Sequence, residues 1–234
     1  MPYPGVAPPP LVPTPGFAAT ATTPEVAHAQ DQTIDGLRWL AVGFGIGWIP
    51  LVGLVGGILG LVGLIMVFQG RRGFGPTHHR YVVWAGVLIL VSIVGAVAAS
   101  VVVSWIEFST TSALLSGSSA HAIPGVVGWL EALVAVSTVL GVLGGLAIVL
   151  LVFQIADGTA RRALWIAFGL GAVIAGGGAV LTALSVTAAT TGSASLQAYT
   201  TDTDLLDVAG AIPSLLRAWA YYHVRQLHLV GEPT

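Results

Sequence analysis

The sequence predicts an all-α fold: a polytopic transmembrane helical bundle of about five spans. Three observations carry this. First, the 234-residue chain is 55% hydrophobic and only 8% charged, with a mean hydropathy of +0.90. Soluble domains carry about 25% charged residues, so a chain this poor in charge cannot cover a water-facing surface. Second, apolar runs long enough to cross a hydrocarbon core of about 30 Å recur along it. Third, Arg71, Arg72, Arg80, Arg161, Arg162 and Arg225 fall in alternate connections between those runs. The lipid bilayer is therefore the first partner expected.

Composition removes several chemistries. Cysteine is absent, which excludes disulfides, thiolate metal sites and a cysteine nucleophile. Lysine and asparagine are absent too, so no Schiff base or N-glycosylation acceptor exists. The formal net charge of −2 gives no electrostatic case for nucleic-acid binding. There is no basic leader before the first apolar residues, so internal spans are expected to direct membrane insertion.

Residues 1–30 read as a disordered tail. Pro2, Pro4, Pro8, Pro9, Pro10, Pro13, Pro15 and Pro24 remove backbone donors and block both helix and ladder. Such a tail is either a simple entropic extension or a docking segment for a partner with an aromatic groove. Residues 31–230 form the predicted transmembrane domain, and 231–234 a short tail. Asp31, Thr33 and Asp35 offer caps for its first helix.

The first apolar run, 40–69, would make roughly 43 Å of straight helix, which overshoots the core. The expectation is a short half-inserted helix to about Trp48, a kink at Pro50 and a main span from Leu51 to Gln69. A hairpin of two spans ranks second, because no polar turn separates them. Further spans are expected at 81–105, 126–154, 163–189 and 205–223, with Trp84 and Trp105 at the two interfaces. The arginine-bearing connections should be cytoplasmic and the arginine-free ones around Ser112 and Ser195 outside. Five spans then put the N-terminus outside and the C-terminus in the cytoplasm, which leaves Arg38 outside, against the rule.

The chain also echoes itself. Gly57–Gln69 reads GILGLVGLIMVFQ and Gly141–Gln154 reads GVLGGLAIVLLVFQ. Each is followed by an arginine-bearing connection and a span with an early tryptophan, Trp84 or Trp165. This pattern is a parallel repeat of helical hairpins, or a chance match between Gly- and Leu-rich spans.

Two sets of intramembrane residues stand out. Gly53, Gly56, Gly57 and Gly60, then Gly141 and Gly145, give small-xxx-small spacing that lets helix backbones approach. They serve either packing within the bundle or a homo-oligomer contact. On the fifth span, Asp207, Gly210, Ser214, Arg217 and Tyr221 fall on one helical stripe. An arginine at the centre of a span costs about 2.5–3.5 kcal/mol, so Arg217 should face protein or water, or snorkel to the cytoplasmic surface. The stripe is either a polar pathway or a plug for the bundle's cytoplasmic end. Glu131, near the outer end of the third span, could join such a pathway or lie hydrated at the interface. Arg71, Arg72, Arg80, Arg161 and Arg162 suit anionic lipid headgroups. His78 and His79 read as solvated loop residues, since neighbours diverge on a helix and make a poor metal pair. No HExxH, serine elbow or carboxylate cluster occurs, and neither a cofactor nor an enzymatic role is expected.

The strings Gly36-Leu37-Arg38-Trp39-Leu40 and Ile49-Pro50 precede Arg72-Gly73-Phe74-Gly75-Pro76-Thr77-His78-His79-Arg80. With Ile212-Pro213-Ser214-Leu215-Leu216 and Tyr221-Tyr222, this set resembles an uncharacterised family of archaeal multi-pass membrane proteins, classified only as a domain of unknown function. The resemblance covers about Asp31 to Gly231. It implies a prokaryotic plasma-membrane protein and brings no activity, cofactor or site residue. From the residues themselves, two functions compete. One is a non-enzymatic structural or interaction protein that packs through glycine faces. The other is a small transporter or channel lined by the polar stripe.

Overall fold

The structure is a computed structural model that describes residues 23–49, 51–115, 123–191 and 196–230. All regular structure among them is helical: α1 (Pro24–Ile46), α2 (Gly53–Gln69), α3 (Gly75–Leu115), α4 (Ile123–Val152), α5 (Gly158–Thr191) and α6 (Leu196–Val230). Among the described residues, three segments are long and apolar enough to cross a membrane: Gly75–Ile106, Glu131–Val152 and Gly158–Leu184. The 17-residue α2 is apolar but shorter. Large apolar side chains face outward along these helices, among them Leu90, Val94, Val101, Val173 and Val180. A water-soluble surface does not carry apolar patches of that extent.

The first apolar run folds as an antiparallel hairpin of α1 and α2, and not as one kinked helix; neither α1 nor α2 is among the segments long and apolar enough to cross a membrane. Pro50 itself lies outside the described residues. A polar turn proves unnecessary because three of the turn's amides find nearby carbonyls. Gly47 N–H donates to the Gly43 carbonyl (2.8 Å), Ile49 N–H to Ile46 (3.1 Å) and Gly53 N–H to Ile49 (2.7 Å). The Trp48 indole donates to the Gly45 carbonyl at 2.9 Å. The remaining cost falls on Leu51, which takes the left-handed φ of 68°. Helix α1 begins at Pro24, so residues 24–30, expected in the tail, form its first turns. Proline is suited to that position, where its missing N–H is not needed.

Glycines close the hairpin. A Cβ on Gly36 would meet the Gly63 carbonyl oxygen at 2.8 Å, and one on Gly43 would meet the backbone of Gly56 and Gly60 at 2.7 Å. A Cβ on Gly56 would strike Gly47 at 2.7 Å. The glycines of α2 thus pack on partners in α1 (Gly36, Gly43 and Gly47), one glycine row against another. Gly57 and Gly141 behave differently: an added Cβ at either meets nothing within 4 Å.

Around the bundle, α1 touches α2 and α6, α6 touches α5, α5 touches α4, and α4 touches α3. The ring stays open at one seam, because α3 scarcely touches α2. The two halves of the sequence echo therefore pack differently: α4 lies on α5, whereas α2 turns away from α3 to pair with α1. The buried core, including Leu37, Val67, Val82, Leu151, Leu164 and Val224, lies toward one end of the bundle.

That end gathers both described ends of the chain. Gln30 donates from its side-chain amide to the Gly73 carbonyl (2.9 Å), His228 lies 3.0 Å from the Ile155 carbonyl, and the rings of Phe74 and His228 are 5.1 Å apart. So the start of α1, the connections 70–74 and 153–157, and the end of α6 share one side. The five-span reading puts the two chain ends on opposite sides, whereas the start of α1 and the end of α6 lie together at this end of the bundle.

At this end Asp157 caps α5. Its Oδ1 accepts from the Ala160 N–H at 2.9 Å, and its other oxygen lies 3.5 Å from His223 Nε2. Burial pushes the Asp157 carboxyl up, but the Ala160 and Thr159 amides and the His223 imidazole outweigh it and hold the carboxyl below its usual value. The stabilisation is therefore present above the unfolded value near 3.9 and is lost as pH falls through the lower folded value. Asp157→Ala is expected to lower stability by about 1 kcal/mol at neutral pH. Thermal unfolding at pH 7 and near pH 3 checks this, with the difference from native shrinking at the acid pH.

A candidate polar site around Arg217

Helix α6 carries Pro213, which has no N–H to give to the carbonyl four residues back. One turn further on, Arg217 and then Tyr221 point into the bundle. Tyr221 is fully buried, donates its hydroxyl to the Ile148 carbonyl of α4 at 2.6 Å and stacks on Phe44 of α1 at 5.7 Å. This part of the stripe is packed side chain, as a plug requires.

Arg217 is not packed in that way. Its guanidinium lies beside Gly171 of α5, 2.9 Å from where a Cβ would stand, and 3.8 Å from the equivalent point on Gly145 of α4. These glycines make room for it. Its carbon lies 5.9 Å from the centre of the Phe44 ring. Its Nε is buried with no hydrogen-bond partner, and no carboxylate pairs with it among the described residues. Two cavities meet at this side chain. One, of about 290 Å³, lies between α4, α5 and α6 and is lined by Gly141, Gly145, Phe168, Gly171, Pro213 and Arg217. The other, of about 480 Å³, lies between α1, α2, α3, α4 and α6, where Ser214 and Arg217 form its polar wall with Ser92.

The rest of the expected stripe does not converge here. Asp207 lies ten residues up α6, about 15 Å of helix rise, and is described by backbone only. Glu131 is exposed, fourteen residues from Gly145 on α4, or about 21 Å. Ser214 donates back to its own helix at Gly210 (3.1 Å), and Ser92 donates to Leu88 and across to Leu140 of α4. Both hydroxyls are thus engaged, which leaves the guanidinium as the donor facing the cavities. Sequence reasoning missed Phe44, Gly171 and Ser92. Their only signal is being small or aromatic at the right depth, which requires the packing of four helices to read.

The arginines at the core end divide into two sets. Arg71 donates to the Phe68 carbonyl (2.8 Å) and lies 4.5 Å from that ring's centre. Arg161 does the same to Phe153 (2.9 Å and 5.1 Å). Each cation therefore sits at the carbonyl end of a Val-Phe-Gln helix, where the macrodipole favours it. Arg72, Arg80 and Arg162 are exposed and free to meet headgroups. His78, expected in solvent, is buried at 1% exposure against Phe74, with both ring nitrogens unpartnered. No group of three or more His, Asp or Glu among the described residues could hold a metal ion.

The fold and site thus define an all-helical protein with membrane-length apolar helices and a cationic, cavity-facing interior. Comparison with protein-family models, curated proteins and solved structures gives no match.

Proposed function

We propose that this is a non-enzymatic, multi-pass plasma-membrane protein that admits a small anion to its interior, as a small transporter or channel. One observation carries the reading: Arg217 is a half-buried cation whose Nε is buried without a hydrogen-bond partner and which has no carboxylate partner among the described residues, set where two cavities meet. Counting along α5, its neighbour Gly171 lies about 9 Å beyond Trp165 and about 15 Å beyond Arg161, so the side chain is inside the apolar zone. On α3, Trp84 and Trp105 are both exposed and about 31 Å apart, which matches the hydrocarbon core and supports two interfacial belts. A cation at such depth is retained at a cost, and intramembrane charges of this kind mark ion and substrate pathways.

The test is flux of methanesulfonate or nitrate into proteoliposomes. Uptake above that of empty liposomes, lost in Arg217→Leu, supports the reading. Uptake equal to that of empty liposomes overturns it and leaves a structural protein packed through its glycines, the second reading, which the α1–α2 glycine rows favour.

The positive-inside rule makes the arginine-bearing end cytoplasmic. Single cysteines at Ser118 and Ser193 are then expected to label from outside in intact cells. Those at Gly73 and Thr22 are expected to stay protected, because the start of α1 shares the arginine end. Labelling at Thr22 would place the tail outside and sink this orientation.

A further inference from the structure

The larger cavity has a character that the smaller one lacks. Apart from Arg217, Ser92 and Ser214, its walls are apolar side chains (Leu40, Phe44, Leu61, Leu64, Ile89 and Ile93 among them) and the glycines of the hairpin. It lies at the seam of the ring, where α2 scarcely touches α3. Gly57 lines it with open space where a side chain would be. In a bilayer, an apolar chamber at a gap between two apolar helices opens toward lipid tails and not toward bulk water. At its inner wall stands the unpartnered guanidinium, whose planar fork takes a carboxylate in two parallel hydrogen bonds. Ser92 and Ser214 spend their protons on backbone carbonyls, so the chamber presents one cationic donor group and little else that is polar.

We infer that this cavity binds a single-chain amphiphilic carboxylate, of the medium-chain fatty-acid type. Its headgroup lies on Arg217 and its tail leaves through the α2–α3 seam. The inference rests on the anion reading of Arg217 and names its ligand class. A small inorganic anion would fill the guanidinium but leave the apolar walls empty. A two-chain phospholipid exceeds a chamber of about 480 Å³. The carboxylate compensates the buried charge, and the tail covers the apolar walls.

The experiment uses the full chain in nanodiscs of zwitterionic lipid, with decanoate, decanol and nitrate as probes and binding read by thermal shift and isothermal titration. Decanoate is expected to bind roughly ten-fold or more tightly than decanol, as the loss of a charge-assisted pair requires. Gly57→Leu, which grows a side chain into the chamber where there is space for it, is expected to abolish decanoate binding while the protein stays folded. Arg217→Leu is expected to bind decanoate no better than decanol. Equal binding of decanoate and decanol by the native protein overturns the proposal, as does undiminished binding by Gly57→Leu. Nitrate binding lost in Arg217→Leu, without any for decanoate, overturns the ligand class but keeps the anion reading. Decanoate binding without methanesulfonate or nitrate flux sinks transport of small anions and keeps this site.

Discussion

Arg217→Leu is expected to give a bundle more stable than the native one and unable to bind an anion. Removal of an uncompensated, half-buried guanidinium from the apolar zone relieves a cost of about 2–3 kcal/mol. The space opened beside Gly171 and Gly145 returns a part of that gain, because leucine is the smaller side chain. Thermal or denaturant unfolding in one detergent measures the net change, expected at about 1–2 kcal/mol of stabilisation. Arg217→Lys is the informative companion. It keeps the charge but loses the planar fork and the delocalised cation near Phe44, so it is expected to keep part of the stability penalty and only weak carboxylate binding. A purely structural Arg217 predicts the opposite: loss of stability in both variants. That outcome would return α6 to the role of a plug.

The second large effect belongs to the hairpin. Gly43→Leu is expected to cost at least about 3 kcal/mol and to separate α1 from α2. The Cβ alone would meet backbone atoms of Gly56 and Gly60 at 2.7 Å, and backbone cannot rotate aside as a flexible side chain does. Gly36→Leu acts on the same row against Gly63 and Val67 and should behave alike. Gly141→Ala is the control: the added methyl enters open space, and the gain in helix propensity is about 0.5–1 kcal/mol. Unfolding of the three variants in parallel checks the contrast. A similar gain in all three would mean that the glycines act through helix propensity and not through contact.

The class of this protein was legible in its sequence because low charge and long apolar runs are properties of composition. A chain with 8% charged residues has one available solvent, whatever its packing. The helix ends at the arginine side were legible for the same reason: α2 closes at the expected Gln69 and α4 at Val152, two residues before the expected 154, and loop arginines follow. The hairpin was not preferred, because turn polarity is a statistical cue. What decides the matter is whether the turn's amides find carbonyls, as those of Gly47, Ile49 and Gly53 do, and those bonds are local geometry. The glycine spacing in α2 showed that some helix would approach, but spacing on one helix carries no address. That Gly36, Gly43 and Gly47 of α1 receive it, while Gly57 faces a chamber, depends on how two helices are rotated against each other.

The stripe on α6 shows the same division. Periodicity put Ser214, Arg217 and Tyr221 on one face, and the structure keeps them together at the wall of the interior. Periodicity also put Asp207 on that face, but a stripe has length as well as direction, and about 15 Å of rise separates it from the guanidinium. Whether Tyr221 packs and Arg217 does not is decided by partners on other elements. Ile148 and Phe44 close around the tyrosine, while Gly145 and Gly171 leave the arginine a cleft. The sequence by itself pointed to the bilayer as solvent, to helices as the regular structure and to a charge on one stripe of the last helix. Only the tertiary structure decided that this charge faces cavities, because an empty volume belongs to no residue and exists only between elements that come from five parts of the chain.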